Sequence, residues 1–199
     1  MKKILILLAI VCTNTAYGQL SYGVLGGVNA SQIRILSLPA NMNASEVDLT
    51  ASAGWHAGVF GRLQMLLVYI QPELMYTNID HHMTYIDGNN ELISSDVLIR
   101  RIDLPIQVGI IFGTGTLFVA PVWSAPIHSL QDVALVRPNQ GTWAGQVGIG
   151  FKLSKLQLDL RYESSLTPFA DELNLPGNIT VPMDSRMGQL LFTAGVALN

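Results

Sequence analysis

The chain has 199 residues, enough for one domain, with 13% charged residues, a formal net charge of −3 and a mean hydropathy of +0.37. A soluble domain carries about 25% charge, so this surface is short of the charge that keeps a protein dissolved and is expected to face something other than water. Nucleic acid is not an expected partner, because phosphate contacts need clustered Lys and Arg and this chain has no basic stripe.

Residues 1–18 read as a cleavable signal peptide. Lys2 and Lys3 form its charged start and Ile4 to Val11 its apolar run, and Ala16-Tyr17-Gly18 puts small residues where a peptidase needs them, so cleavage is expected before Gln19. The apolar run is too short for a membrane anchor, which needs about 20 residues. Cys12, the only cysteine, follows Val11, whose bulk does not suit a lipidation site, and is expected to leave with the leader. The mature domain, 19–199, then has no cysteine and no second long apolar run for a transmembrane helix. A hydrophobic exported chain of this kind has one main route into a membrane: a closed barrel that satisfies its own backbone hydrogen bonds.

The elements follow in chain order. A first strand is expected near 20–31, then a long polar connection, Gln32–Ser52. Strands near 53–62 and 66–78 follow, joined by a short link at Leu63–Met65. After a second long connection, Ile79–Asp96, the strand near 97–112 alternates strictly. Ile102, Leu104, Ile106, Val108 and Ile110 share one face; Arg101, Asp103, Pro105, Gln107 and Gly109 share the other. A short link at Gly113–Thr114 leads to a strand near 115–125, and a long connection, Pro126–Gln140, to one near 141–152. Beyond Ser154 the strand near 155–165 sets Leu156, Leu158, Leu160 and Tyr162 against Gln157, Asp159, Arg161 and Glu163. The connection Leu166–Arg186 precedes a last strand near 187–198, with Leu190, Phe192, Ala194, Val196 and Leu198 on one face.

Several of these strands match the ~9–11 residues that cross a bilayer at a tilt. Short and long connections alternate, as they do in outer-membrane barrels with short periplasmic turns and long external loops. The expected fold class is therefore all-β: a transmembrane antiparallel up-and-down barrel of about eight strands, in the outer membrane, with both termini periplasmic. The competing fold, a soluble lipocalin-like barrel, needs polar outward faces that this charge-poor chain does not supply.

Two patterns refine the expectation. Gly58-Val59, Gly109-Ile110, Gly148-Ile149 and Gly195-Val196 repeat near strand ends, where inward glycine would relieve crowding in a narrow lumen. Trp55, Trp123 and Trp143 fall at the outer ends of their strands with Tyr76 and Tyr162 at similar height, an expected aromatic girdle; Tyr22, Tyr69, Phe118 and Phe151 are expected to form the periplasmic one.

These residues also resemble a family. Tyr22-Gly23-Val24-Leu25-Gly26-Gly27-Val28-Asn29, Gly54-Trp55-His56-Ala57-Gly58-Val59-Phe60, Tyr69-Ile70-Gln71-Pro72-Glu73-Leu74-Met75-Tyr76, Ile102-Asp103-Leu104-Pro105-Ile106 and Leu158-Asp159-Leu160-Arg161-Tyr162 are similar to successive strands of the PorT-like outer-membrane barrels of Bacteroidetes-type bacteria, eight-stranded barrels of OmpA/OmpX-like form. The resemblance covers nearly the whole mature chain, and Gln71-Pro72-Glu73-Leu74 and Leu104-Pro105 are its more specific elements. It departs at the end, Ala197-Leu198-Asn199, where barrels of this kind commonly carry an aromatic residue. The resemblance implies fold and location.

Chemistry is sparse. The sequence has no phosphate loop, dinucleotide fingerprint or Gly-x-Ser-x-Gly elbow, and no cofactor is expected. His81 and His82 could both hold a metal only on an irregular loop, because neighbours on a strand point apart. A rim site acting on lipid would use His56 or His128 with Ser52 or Ser129, but nothing in the sequence fixes a nucleophile–base pair. The defined constellation is Glu73, Arg101, Asp103, Asp159, Arg161 and Glu163, all expected to face inward at similar height. The preferred reading is a salt-bridged plug, since eight strands leave only enough interior for side chains; the alternative is an ion or proton path. The expected function is structural or interactive and not enzymatic, with outer-membrane lipid as surroundings and a possible protein partner at the external loops or periplasmic face; the alternatives are a lipid-acting enzyme or small-ligand binder at the rim, and a narrow ion pore.

Overall fold

The computed structural model of the protein describes residues 18–35, 47–49, 52–86, 92–127, 136–138, 141–167, 170–175, 179–182 and 185–199. The expected leader lies outside these residues except for Gly18, which opens the first strand. Twelve strands are present among the described residues: β1 (Gly18–Ile35), β2 (Val47–Leu49), β3 (Ser52–Met65), β4 (Val68–Ile86), β5 (Leu92–Phe112), β6 (Gly115–Pro126), β7 (Val136–Pro138), β8 (Thr142–Leu153), β9 (Leu156–Ser165), β10 (Ala170–Leu175), β11 (Ile179–Pro182) and β12 (Ser185–Ala197).

Eight of them close a barrel. Going round the ring, the order is β1, β3, β4, β5, β6, β8, β9, β12, and β12 returns to pair with β1. Every neighbouring pair is antiparallel, which is the up-and-down arrangement that the alternating short and long connections predict. At the closing seam the side chain of Asn199 adds a rung. It accepts from the Tyr22 N–H at 3.0 Å and donates to the Leu20 carbonyl at 2.9 Å.

The two faces of the wall divide as period two requires. Inward positions carry Asn29, His56, Glu73, Arg101, Gln146, Asp159 and their alternates, all buried. Outward positions carry Val28, Val59, Ile70, Ile106, Val119, Ile149, Leu160 and Phe192, all exposed. This is a polar-in, apolar-out wall, the reverse of a soluble barrel. Leu104, Ile106 and Leu160 are exposed outward, and Gln157 is buried inward. Pro72 and Pro105 lack the N–H of a ladder donor, and rungs drop out beside them. The β4–β5 register nevertheless continues unshifted from Pro72↔Ile106 to Met75↔Asp103.

Three details differ from the sequence reading. The first tight turn is Leu66–Leu67, between Met65 and Val68, and not Leu63–Met65. The turn contains no Gly, Pro, Asn or Asp, so no turn chemistry marks it. Strand structure also enters connections expected to be irregular. The β4–β5 hairpin stays paired as far as Ile86↔Leu92, β2 adds to it through Met83–Tyr85, and β7, β10 and β11 form a separate small sheet. Finally, Tyr69 and Phe118 do not join the expected periplasmic girdle. They are 1% and 2% exposed and point into the lumen, whereas Tyr22 and Phe151 face out.

Inward rings account for two glycines of the repeat, Gly109 and Gly148, and for Gly23 besides. Gly109 lies opposite Tyr69, Gly148 opposite Phe118 and Gly23 opposite Phe60 on paired strands. Each ring lies over the bare Cα of its partner, and a Cβ at Gly109 would fall 2.5–2.7 Å from the Tyr69 ring. Inward glycine thus makes room for a ring from the next strand. Gly109→Ala is expected to destabilise the barrel by about 1–3 kcal/mol through overpacking. Gly145→Ala, where a Cβ meets nothing within 4 Å, should change stability little. Urea unfolding of the two variants in detergent checks this.

Candidate functional site: the charged lumen

Among the described residues the lumen concentrates buried charge, in two tiers on successive inward residues of β9. Toward the short turns, Arg161 reaches across the ring from β9 to β4, the strand opposite. Its guanidinium grips Glu73 as a fork, Nη1 to Oε2 at 2.6 Å and Nη2 to Oε1 at 3.1 Å, while Nη2 also meets Asp159 at 2.9 Å. Such two-pronged ion pairs fix orientation as well as distance. Glu73 Oε1 also accepts from Gln71 at 2.6 Å and Gln107 at 2.7 Å. Toward the long loops, Arg101 donates to Glu163 at 2.7 Å and to Asp103 at 3.0 Å. Glu163 accepts further from Gln146 at 2.7 Å and Gln189 at 2.6 Å, and Asp103 from Thr77 at 2.6 Å.

All six residues singled out from the sequence lie in this interior, buried and hydrogen-bonded, and they belong to two groups. The structure pairs Arg161 with Glu73 and Asp159, and Asp103 with Arg101. Alternation tells which residues face in, but the stagger between strands decides which of them stand at the same height.

The sequence reading left four acids against two arginines. The structure supplies the balance. Arg62, placed beside the first turn by the sequence reading, is buried on the inward face of β3. It donates through Nε to Gln71 and stacks 4.2 Å over the Tyr69 ring. Lys152, on the inward face of β8, reaches Gln64 on the far side of the short-turn end at 3.4 Å. Glu73, Asp103, Asp159 and Glu163 therefore face Arg62, Arg101, Lys152 and Arg161, and the described lumen carries no excess charge. A visible signal marked Arg62: it shares parity with His56, Gly58 and Phe60 along β3.

His56 is buried, with Nε2 2.9 Å from Thr193 Oγ1, so it sits within the lumen wall and not at an open rim. Ser52 is also buried. His128 and Ser129 fall outside the described residues. His81 and His82 lie on the paired backbone of β4, opposite Val97 and Asp96. Among the described residues no group of three His, Cys, Asp or Glu is arranged to hold a metal ion.

On the outer wall at the loop end, Trp55 and Trp143 are exposed, the Trp55 and Tyr76 rings stand 5.5 Å apart, and Trp123 is paired with Trp143. Tyr162 is exposed on the same wall.

A closed ring of eight antiparallel strands, apolar outside and ion-paired within, defines the class: a barrel built for hydrocarbon surroundings. No protein-family model and no curated protein sequence matches the chain. Among solved structures, Neisserial surface protein A is similar over 89% of this chain and 98% of its own, at 10% identity and a TM-score of 0.54. The attachment invasion locus protein Ail of Yersinia pestis is similar over 89% of this chain and 98% of its own, at 12% identity and a TM-score of 0.46. At these identities the likeness is one of fold: an eight-stranded antiparallel β-barrel of the outer-membrane kind.

Proposed function

We propose that the protein resides in the outer membrane as a sealed barrel that acts through its loop end, in a structural or binding role and without catalysing a reaction. The observation that carries this is the pair of buried, ion-paired charge tiers inside the barrel. Both tiers of charge are buried, ion-paired and backed by glutamines, and a narrow eight-stranded interior leaves no separate aqueous path once its side chains meet. The apolar outer wall supports a membrane setting. The β4–β5 hairpin and the β7–β10–β11 sheet give the loop end an ordered surface for a protein or polymer partner. In this reading residues 1–18 are the export signal, removed before Gln19, and both termini are periplasmic.

The finer family reading is PorT-like. The Gln71-Pro72-Glu73-Leu74 element supports it with a physical role: Gln71 and Glu73 face inward, where they hold Arg62 and Arg161, while Pro72 and Leu74 face outward.

The purified protein is expected to fractionate with outer membranes, to shift gel mobility on heating, and to show little steady conductance in planar bilayers. Recovery from the soluble periplasm without detergent would sink the membrane reading. A large steady conductance would replace the sealed barrel with a pore.

A further inference from the structure

The three two-residue turns of the barrel are not alike. Gly113-Thr114 and Ser154-Lys155 are polar, whereas Leu66-Leu67 presents two leucines that are 86% and 67% exposed, flanked by exposed Met65 and Val68. Leu66 and Ser154 both hold a φ of 55°, so the β3–β4 turn differs from the β8–β9 turn in its side chains and not in this backbone feature. Glycine is the usual occupant of that conformation at such turns. In water, a strained Leu-Leu tip gains nothing from its side chains.

The surroundings of the tip say what covers it. The turn lies between β1 and β5 at one edge of the ring, and its apolar surface continues into Leu20 on one side and Phe112 on the other, both exposed. Ile111 N–H bonds the Leu67 carbonyl at 2.7 Å, which ties the tip to β5. Beside it the outer wall is indented by a groove of about 180 Å³ lined by Val68, Val108, Ile110, Leu117 and Val119, with no polar side chain in its lining. The patch runs on into the apolar outer wall. On the opposite side of the ring the β8–β9 turn carries Lys155.

We infer that the β3–β4 turn is a lipid anchor. Leu66 and Leu67 are inserted among the acyl chains of the leaflet at the short-turn end, and a chain of that leaflet lies in the groove beside them. This rests on the membrane reading above. It adds that one sector of the short-turn rim is submerged while the β8–β9 sector stays in water.

Single cysteines test it in the full chain carrying Cys12→Ser, so that each introduced thiol is the only one. Leu66→Cys, Ile106→Cys and Ser154→Cys are each labelled with an environment-sensitive fluorophore and folded into phosphatidylcholine vesicles with brominated acyl chains. The label at position 66 should lose as much fluorescence as the one at 106, and the label at 154 should lose almost none. If Leu66→Cys fails to fold, Leu67→Cys gives the same readout from a residue without the unusual φ. Quenching at 106 but not at 66 or 67 overturns the anchor and leaves the membrane reading standing, with a periplasmic protein as the occupant to seek. Equal quenching at 66 and 154 also overturns it, because the whole rim would then be submerged. No quenching at 106 overturns the membrane reading itself.

Discussion

Arg161→Met is expected to lower the stability of the barrel by about 3–5 kcal/mol, the usual cost of leaving a buried charge without its partner. Arg161 is fully buried and is the group that joins β9 to β4 across the lumen; without it Glu73 keeps two glutamine donors and no cation within bonding distance. Arg161→Met combined with Glu73→Leu should cost clearly less than the two single changes added together, since both ends of one ion pair are then removed. Arg161→Met combined with Asp103→Leu should be close to additive, because Asp103 belongs to the Arg101 tier. Urea titrations of the folded barrel in detergent or vesicles give the three numbers. Strong coupling of Arg161 to Asp103, with none to Glu73, would overturn the two-tier arrangement.

The second large effect is on the outer wall. Ile106→Arg and Leu160→Arg, at mid-strand outward positions, should each cost about 2–4 kcal/mol in a bilayer, whereas Leu153→Arg, beside a short turn, should cost about 0–1 kcal/mol, because the penalty falls toward the interface. All three side chains are exposed on the outer wall. Equal costs at the three positions, in vesicles and in detergent alike, would show that the wall does not face hydrocarbon.

Period two made most of the wall legible in the sequence. Along β5 and β9 the alternation of charge with Ile and Leu fixed both the strand and its inward face, and the tight turns at Gly113 and Ser154 stood where it broke off. Leu66–Leu67 did not, because the turn is built from residues that usually belong to strands. Tyr69 and Phe118 were misplaced for another reason. Phe118 shares its face with Thr116, Ala120 and Val122, too mild a pattern to mark as interior, and Tyr69 was taken for a girdle residue although it shares parity with Gln71 and Glu73. Ring-over-glycine pairs could not be read at all from one strand, since each needs the register between two. The ion pairs are of the same kind. Parity placed the six charges inside, but the choice between Glu73 and Asp103 for Arg161 depends on the relative height of β4, β5 and β9.

The balanced charge of the lumen is also balanced locally. On the β3–β4 hairpin Arg62 offsets Glu73; on β5–β6 Arg101 offsets Asp103; on β8–β9 Lys152 and Arg161 offset Asp159 and Glu163. Each tight hairpin therefore has an electrically neutral inner face before it meets its neighbours. A hairpin is also the smallest piece of this wall that can be added with its own turn already formed. Each such piece can enter a low-dielectric setting without carrying a net charge, and two of the three bring an intrastrand pair, Arg101 with Asp103 and Arg161 with Asp159, ready made. The cross-lumen contacts of Glu73 and Glu163 are left for the moment when the ring closes. Closure is then the step that completes the network, when Glu73 meets Arg161 and Glu163 meets Arg101.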